Sequence, residues 1–81
     1  MTDNRVDARA TEEVLEALRR QFPGRVSLDR TETAQALGFK NPITVDRLRA
    51  RGLLRASLAT RKPMYSLTEI ARFLVETSEG I

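Results

Sequence analysis

The sequence predicts a mainly α-helical domain of about four helices, with a two-stranded β-hairpin between the third helix and the fourth. Three observations support this prediction. Apolar residues recur at helical spacing in several short segments, capping residues and glycines mark the ends of those segments, and one further segment alternates as a strand does. A chain of 81 residues has room for one domain with a single small core.

The first helix is predicted over residues 11–22, after a flexible lead-in at 1–10 that lacks apolar periodicity. Thr11 is the expected N-cap, and the two acids that follow it suit the positive end of the helix dipole. Pro23 and Gly24 end the helix. Its apolar stripe consists of Val14, Leu15, Leu18 and Phe22. Two interpretations are open: the helix packs on the domain's own core, or it binds a partner or a second copy of the chain.

The second helix is predicted over Arg30–Leu37, after a short extended segment at Val26–Leu28. Asp29 and Glu32 have the spacing of a capping box, in which each side chain binds a backbone N–H group of the other residue. Gly38 is the expected C-terminal stop. A connection of a few residues leads to the next helix.

The third helix lies within residues 40–52 and is marked at both ends. Asn41 is the expected N-cap, Pro42 suits the first helical position, and Gly52 suits the left-handed residue just past the end. Helical periodicity divides the segment into a core face with Val45, Leu48 and Gly52 and an outer face with Ile43, Arg47, Ala50 and Arg51. A helix, a short turn containing Gly and a second helix together predict a helix-turn-helix.

The hairpin is predicted from the alternation of Leu54, Ala56 and Leu58 with Arg55 and Ser57. A return strand through Met64 and Tyr65 would place Arg61 and Lys62 near the tip, and Pro63 suits an edge position. The last helix follows Ser66, which has the S-x-x-E capping pattern with Glu69. Its apolar positions are Leu67, Ile70, Ala71, Phe73 and Leu74, and a frayed tail is expected at 78–81.

Positive charge is concentrated in one segment. The chain carries a net charge of +3, but residues 40–62 alone carry +6, from seven basic side chains and a single acid, Asp46. A basic segment in an otherwise mildly acidic domain is typical of nucleic-acid-binding proteins. We therefore expect double-stranded DNA as the partner.

Composition argues against several other classes of protein. The chain has no Cys and no His, which excludes disulfides and the usual zinc sites, and no apolar run approaches membrane-spanning length. The N-terminus does not resemble a signal peptide, so we expect a cytoplasmic protein that is nucleoid-associated when bound. Without His, a carboxylate cluster or a phosphate-binding Gly loop, we expect no enzyme, no metal and no cofactor. A recombinase nucleophile would have to be Tyr65 or a serine, but Tyr65 is better interpreted as a strand residue packing on the last helix.

Three segments resemble the DNA-binding domains of excisionases, which are relatives of the MerR DNA-binding region. Residues 28–38 resemble the first helix of that family, residues 44–52 resemble its recognition helix with the closing Gly, and residues 65–74 resemble the strand and helix after its wing. The resemblance covers residues 28–75. It implies a winged helix-turn-helix, and we expect the domain to span 11–77. The helix at 11–22 lies outside the part of the chain that resembles this family.

The resemblance also implies roles for individual residues. Thr44 would contact phosphate, Arg47 would read base edges in the major groove, and Arg51 would do either. Arg61 and Lys62 would lie on the wing, near phosphate or the minor groove. The predicted DNA-binding set is Lys40, Asn41, Thr44, Arg47, Arg51, Arg55, Arg61 and Lys62. Asp46 departs from a cationic reading face, so it would accept from a cytosine amino group, pair with an arginine, or face away.

The implied function is that of an excisionase-type accessory protein. Such a protein bends attachment-site DNA so that a separate site-specific recombinase excises a mobile element, and neighbouring copies would bind cooperatively, head to tail. It would also be able to regulate transcription from nearby promoters. A transcriptional regulator without a role in recombination is the first alternative, although MerR-like regulators carry a dimerising coiled coil and an effector region that do not fit in this length. The second alternative is a winged-helix module that binds an acidic protein partner.

Overall fold

The structure is a computed structural model that describes the backbone of residues 4–77 and the side chains of residues 8–77. These residues form four α-helices and one two-stranded antiparallel sheet. The elements in chain order are α1 (Asn4–Gln21), β1 (Ser27–Leu28), α2 (Arg30–Leu37), α3 (Ile43–Ala50), β2 (Tyr65–Ser66) and α4 (Leu67–Glu76). The arrangement is compatible with the predicted winged helix. None of the helices in this part of the chain is both long and apolar enough to cross a membrane.

Helix α1 begins earlier than predicted. It starts at Asn4, so Thr11 lies inside the helix, and residues 4–10 belong to it instead of preceding it. This segment contains no Pro or Gly, and its Ala and Arg residues are good helix formers, so the helix continues upstream of the capping signal. The predicted lead-in at 1–3 and the predicted tail at 78–81 lie outside the described residues.

The most extensive contact between elements joins α1 to α4. Leu15 and Leu18 of α1 are buried, as the apolar stripe predicts, and α4 contributes a buried face at the same core. Of the two interpretations of this helix, packing on the domain's own core is the one observed. The buried apolar residues are Leu15, Leu18, Leu28, Ala34, Val45, Leu54, Tyr65, Leu67, Ile70, Ala71 and Phe73.

Helix α2 has the predicted ends. The N–H group of Glu32 donates to Asp29 Oδ1 at 2.8 Å, and the N–H group of Asp29 donates to Glu32 Oε1 at 3.1 Å, which confirms the capping box. Gly38 adopts φ 83°, in the left-handed region, and the N–H group of Phe39 then donates to Ala34 O at 2.8 Å. Only glycine reaches this conformation without strain, so Gly38 fixes the turn toward α3.

The sheet joins different segments from those predicted. β1 pairs with β2, with Ser27 opposite Ser66 and Leu28 opposite Tyr65. The hairpin predicted between 54–58 and 64–65 is wrong as a sheet, because a single bridge, Ser57 to Met64, connects these segments, with N–H···O distances of 2.7 and 3.1 Å. We call residues 57–64 the bridged loop.

Burial explains this choice of strand partner. Leu28 and Tyr65 are both fully buried, so pairing β1 with β2 places two large apolar groups in the core. The expected alternation after α3 fails at Leu58, which is 64% exposed, although Leu54 is buried. The period-two pattern is therefore right about the inward position of Leu54 and wrong about the continuous strand that it also predicts.

The start of α4 follows the predicted capping pattern only in part. Ser66 Oγ accepts the N–H group of Glu69 at 2.9 Å, which confirms Ser66 as the N-cap. The carboxylate of Glu69 does not return to the N-cap, because it binds the Arg55 N–H group and the Arg72 guanidinium instead. Glu69 therefore connects α4 to the segment after α3.

Candidate nucleic-acid interface

Helix α3 is held at both ends by local hydrogen bonds. Asn41 Oδ1 accepts the N–H group of Ile43 at 3.0 Å, which is the bond expected of an N-cap residue. The helix is assigned from Ile43, one residue later than predicted, although Pro42 already has helical dihedral angles of φ −61° and ψ −18°. At the other end Gly52 adopts φ 75°, and the N–H group of Leu53 donates to Leu48 O at 2.9 Å, as in a Schellman motif.

The two faces of α3 are those that the periodicity predicts, except that Gly52, which was expected on the core face, is exposed. Val45 is fully buried and Leu48 is half-buried, so this side packs on the core. On the other side Ile43, Arg47 and Ala50 are exposed, and Arg51 follows them at the C-terminal end. Small, apolar and cationic side chains thus alternate on the outer surface, which suits a helix that lies against base edges in a groove.

The eight predicted DNA-binding residues surround α3 but do not form one compact cluster. Lys40 and Asn41 precede the helix, Thr44 and Arg47 lie on it, and Arg51 caps its C-terminus. Arg55 lies in the segment that follows, and Arg61 and Lys62 lie in the bridged loop. Seven of the eight are exposed, and Thr44 is half-buried.

The residues beyond α3 line two different hollows. Arg55 borders a groove of about 590 Å³ between the segment after α3 and α4, together with Leu53, Glu69 and Arg72 among its lining residues. Lys62 borders a hollow of about 300 Å³ against the start of α2, with Arg30 among its lining residues. The bridged loop therefore leans toward the N-terminus of α2, while Arg55 faces α4.

Ion pairing separates the cations of residues 40–62 from most of the others. Within the described residues, none of the seven basic side chains of this segment forms a salt bridge. Outside it, four of the six described arginines do, and only Arg9 and Arg20 do not. The paired arginines are Arg19 with Glu16, Arg25 with Glu32, Arg30 with Asp46, and Arg72 with Glu69 and Glu76. The positive charge that is free to meet an external anion is therefore concentrated in residues 40–62, in and around α3.

Asp46 pairs with an arginine, which is one of the three outcomes expected for it. Arg30 Nε donates to Asp46 Oδ1 at 3.1 Å, and Arg30 Nη2 donates to Asp46 Oδ2 at 2.6 Å. These hydrogen bonds hold the pKa of Asp46 below its usual range. The pair connects the first turn of α2 to the first turn of α3 and so helps to fix the angle between the two helices.

Arg30 is a further part-exposed cation beside the candidate interface, and it is absent from the set of residues that the sequence predicts. The sequence contained a signal for this residue. A cation in the first turn of a helix is disfavoured by the helix dipole, so an acid from another part of the chain is a natural partner for it. The side chain of Arg30 is 43% exposed beside Lys62 and α3, so it adds a guanidinium to this side of the domain.

The chain leaving α3 is fixed by α4. The Arg55 N–H group donates to Glu69 Oε2 at 2.9 Å, and Arg72 Nη2 donates to Leu53 O at 3.2 Å. The hydrogen bonds from Arg72, together with that from Arg55, lower the pKa of Glu69. Two residues of α4 therefore set the direction in which the chain continues toward the bridged loop.

Tyr65 belongs to the core, as expected of a strand residue that packs on the last helix. It is fully buried in β2, and its hydroxyl has no hydrogen-bond partner among the described residues. Burial raises the pKa of this hydroxyl.

No three acidic side chains among the described residues lie close enough together to bind a metal ion, and the expectation of a chain without metal stays a prediction.

Comparison with family models, with curated proteins and with solved structures gives no match for this chain.

Proposed function

We propose that this protein binds double-stranded DNA through a winged helix-turn-helix. In this proposal α2 and α3 are the two helices of the motif, α3 is the recognition helix, and the bridged loop is a short wing. The observation that supports it most strongly is the distribution of free charge. Seven cations that form no salt bridge with any described residue lie in residues 40–62, which contain the helix whose outer face is small and cationic. Duplex DNA provides the row of anions that such a surface would neutralise.

The proposed contacts follow from position on α3. Arg47 lies on the exposed side of the helix and would donate two hydrogen bonds to a guanine. Thr44 is half-buried at the flank, where its short hydroxyl would reach a phosphate. Arg61 and Lys62 would meet phosphates beside the groove, and Arg51 either a phosphate or a base.

Among DNA-binding proteins, we propose an excisionase-type accessory role. The support is the resemblance of residues 28–38, 44–52 and 65–74 to that family, in the same order along the chain. In this role several copies bind side by side at an attachment site and bend it, and a separate recombinase carries out the strand exchange. The buried hydroxyl of Tyr65 fits this division of labour, because a side chain enclosed in the core does not reach a DNA phosphate.

The first experiment is duplex binding with matched charge removal. Replacing Arg47 and Arg51 by Ala is expected to weaken binding to a selected duplex at least tenfold. Replacing Arg9 and Arg20 by Ala removes the same charge from α1, from arginines that likewise form no salt bridge in the described part of the chain, and is expected to change the affinity less than threefold. Equal losses in both variants, or no DNA binding by the wild-type protein, would refute the proposal.

The second experiment separates excision from regulation. Fragments of the source genome that the protein retains are sequenced, and the protected region on each is mapped with the protein bound. Protection across a recombination attachment site supports the accessory role. Protection confined to promoters supports a transcriptional regulator instead.

A further inference from the structure

Asp46 is an exposed acid on the cationic helix α3, and two hydrogen bonds to Arg30 orient its carboxylate. It is the single acid within residues 40–62, and its side chain is 49% exposed. Arg30 binds it through two N–H groups, one to each carboxylate oxygen, across 16 residues of sequence. The two side chains belong to different helices, so the carboxylate is fixed relative to both of them.

The pairing leaves the carboxylate able to accept further hydrogen bonds. A carboxylate has about four lone-pair sites, two on each oxygen, and Arg30 occupies one on each oxygen. The remaining lone-pair sites belong to a carboxylate that is 49% exposed and that is next to Arg47 in the sequence. Arg30 also neutralises the negative charge that would otherwise repel the phosphates on either side of a groove.

We propose that Asp46 is a specificity-determining residue that accepts a hydrogen bond from the exocyclic amino group of a cytosine in the major groove. Arg30 is the positioning residue that holds the carboxylate for this contact. The inference rests on the proposed function, in which α3 lies in the major groove.

The choice of cytosine follows from what each base presents in that groove. A carboxylate only accepts hydrogen bonds, and cytosine offers an amino donor at N4. Guanine presents two acceptors, and thymine presents an acceptor and a methyl group. Adenine has an amino group, but its neighbouring N7 acceptor would face the second carboxylate oxygen. Cytosine is therefore the base that an oriented carboxylate favours.

The test is selection of binding sites from randomised duplexes by the wild-type protein and by single variants. The wild-type protein is expected to select cytosine at one position by roughly 5- to 150-fold, which corresponds to 1–3 kcal/mol of discrimination. Asp46→Ala is expected to reduce that preference below about twofold and to leave the other positions unchanged. Asp46→Asn preserves the shape of the side chain and is expected to shift the preference toward adenine, which binds an amide through two hydrogen bonds.

The positioning role of Arg30 is tested by the same selection. Arg30→Ala is expected to broaden the preference at the position that Asp46→Ala alters and at no other. The matched control is Arg25→Ala, which breaks another two-bond pair of α2, with Glu32 at 2.6 and 2.8 Å, and does not involve α3. This variant is expected to select the wild-type sequence. Circular dichroism of each variant confirms that it is folded, and Asp46→Asn provides the test if Asp46→Ala is not.

The outcomes separate the inference from the function on which it rests. A wild-type protein that selects no sequence overturns both. A wild-type protein that selects a sequence, with every position unchanged in Asp46→Ala and Asp46→Asn, overturns the inference alone. Loss of preference at a base other than cytosine overturns the assignment of the base, and an unchanged selection by Arg30→Ala overturns the positioning role.

Discussion

The carboxylate of Glu69 accepts the backbone N–H group of Arg55 at 2.9 Å, across 14 residues of sequence. A backbone donor that would otherwise pair in a β-ladder is thus bound by a side chain of α4. Arg72 binds the same carboxylate and also donates to Leu53 O. This contact gives the segment after α3 a fixed path without a strand partner.

Glu69→Ala is expected to lower the free energy of unfolding by about 1–3 kcal/mol, because it leaves the Arg55 N–H group without its acceptor and removes one of the acceptors of Arg72. Urea unfolding followed by circular dichroism measures the change. The matched control is Glu76→Ala, which removes an acceptor of the same Arg72 from a more exposed position and is expected to cost less than about 1 kcal/mol. Equal costs would show that the contact with Arg55 contributes nothing.

Stability is expected to fall in acid. Hydrogen bonds from arginines lower the pKa values of Glu69, Glu32 and Asp46 in the folded protein. Since the folded values lie below the unfolded values of roughly 4, the stabilisation is complete above about pH 5 and is lost as the pH falls through the folded values. Thermal unfolding between pH 7 and pH 2.5 measures this, and Glu69→Gln is expected to show a shallower decline. A decline of equal steepness in both proteins would contradict the role of Glu69.

Affinity for duplex DNA is expected to decrease steeply with salt. If about five cations meet phosphates, the slope of log affinity against log salt concentration is roughly −4 to −5. Fluorescence anisotropy with a labelled duplex, at salt concentrations from about 50 to about 300 mM, measures the slope. A slope near zero would remove the groove-binding proposal.

Helix α3 and the bridged loop are expected to have different roles in DNA binding. Arg47→Ala should cost on the order of 1–3 kcal/mol of binding and relax the preference at one or two base pairs. Replacing Arg61 and Lys62 together by Ala should weaken binding to all sequences alike, because phosphates carry no base identity. Affinities for a panel of singly substituted duplexes distinguish the two. If only the loop variant changed preference, the assigned roles would be reversed.

Several copies are expected to bind cooperatively to direct repeats. A single module of this kind buries roughly 600–1,000 Å² of protein surface, which is too little to select one genomic site. Contacts from front to back propagate along a duplex instead of closing into a dimer. Helix α1, whose outer side carries exposed Glu12, Glu13 and Glu16, and the bridged loop are the surfaces available for such contacts.

This assembly is tested with duplexes that carry one repeat, two direct repeats or two inverted repeats, and bending is followed by the gel mobility of permuted fragments. A monomer in solution that prefers the direct pair and bends it is the expected result. Equal affinity per repeat in all three duplexes, or a stable dimer that prefers inverted repeats, would overturn the assembly and leave the proposed DNA-binding motif intact.

Much of the candidate interface was predictable because α3 is specified by its own residues. Asn41 and Gly52 mark its ends, and the spacing of Val45 and Leu48 determines which side faces the core. The exposure of Arg47 follows directly from that spacing. Arg30 was not predicted, because its partner Asp46 lies on another helix and no periodicity connects the two.

The expected hairpin fails for a related reason. The alternation around Leu54 is a property of one segment, whereas a ladder requires a second backbone with free donors and acceptors. The Arg55 N–H group is bound by Glu69, and Tyr65 pairs with Leu28, so a single bridge remains at Ser57.

The sequence by itself determined the features that depend on residues within a few positions of each other. These are the capping box of Asp29 and Glu32, the left-handed turns at Gly38 and Gly52, and the N-cap at Ser66. Each is a hydrogen bond or a backbone dihedral angle that involves only residues within one or two helical turns of each other. The local sequence alone therefore specifies it. Only the tertiary structure decided how β1 and β2 pair and how Asp46 is bound, because those contacts join distant segments that meet only when the core is packed.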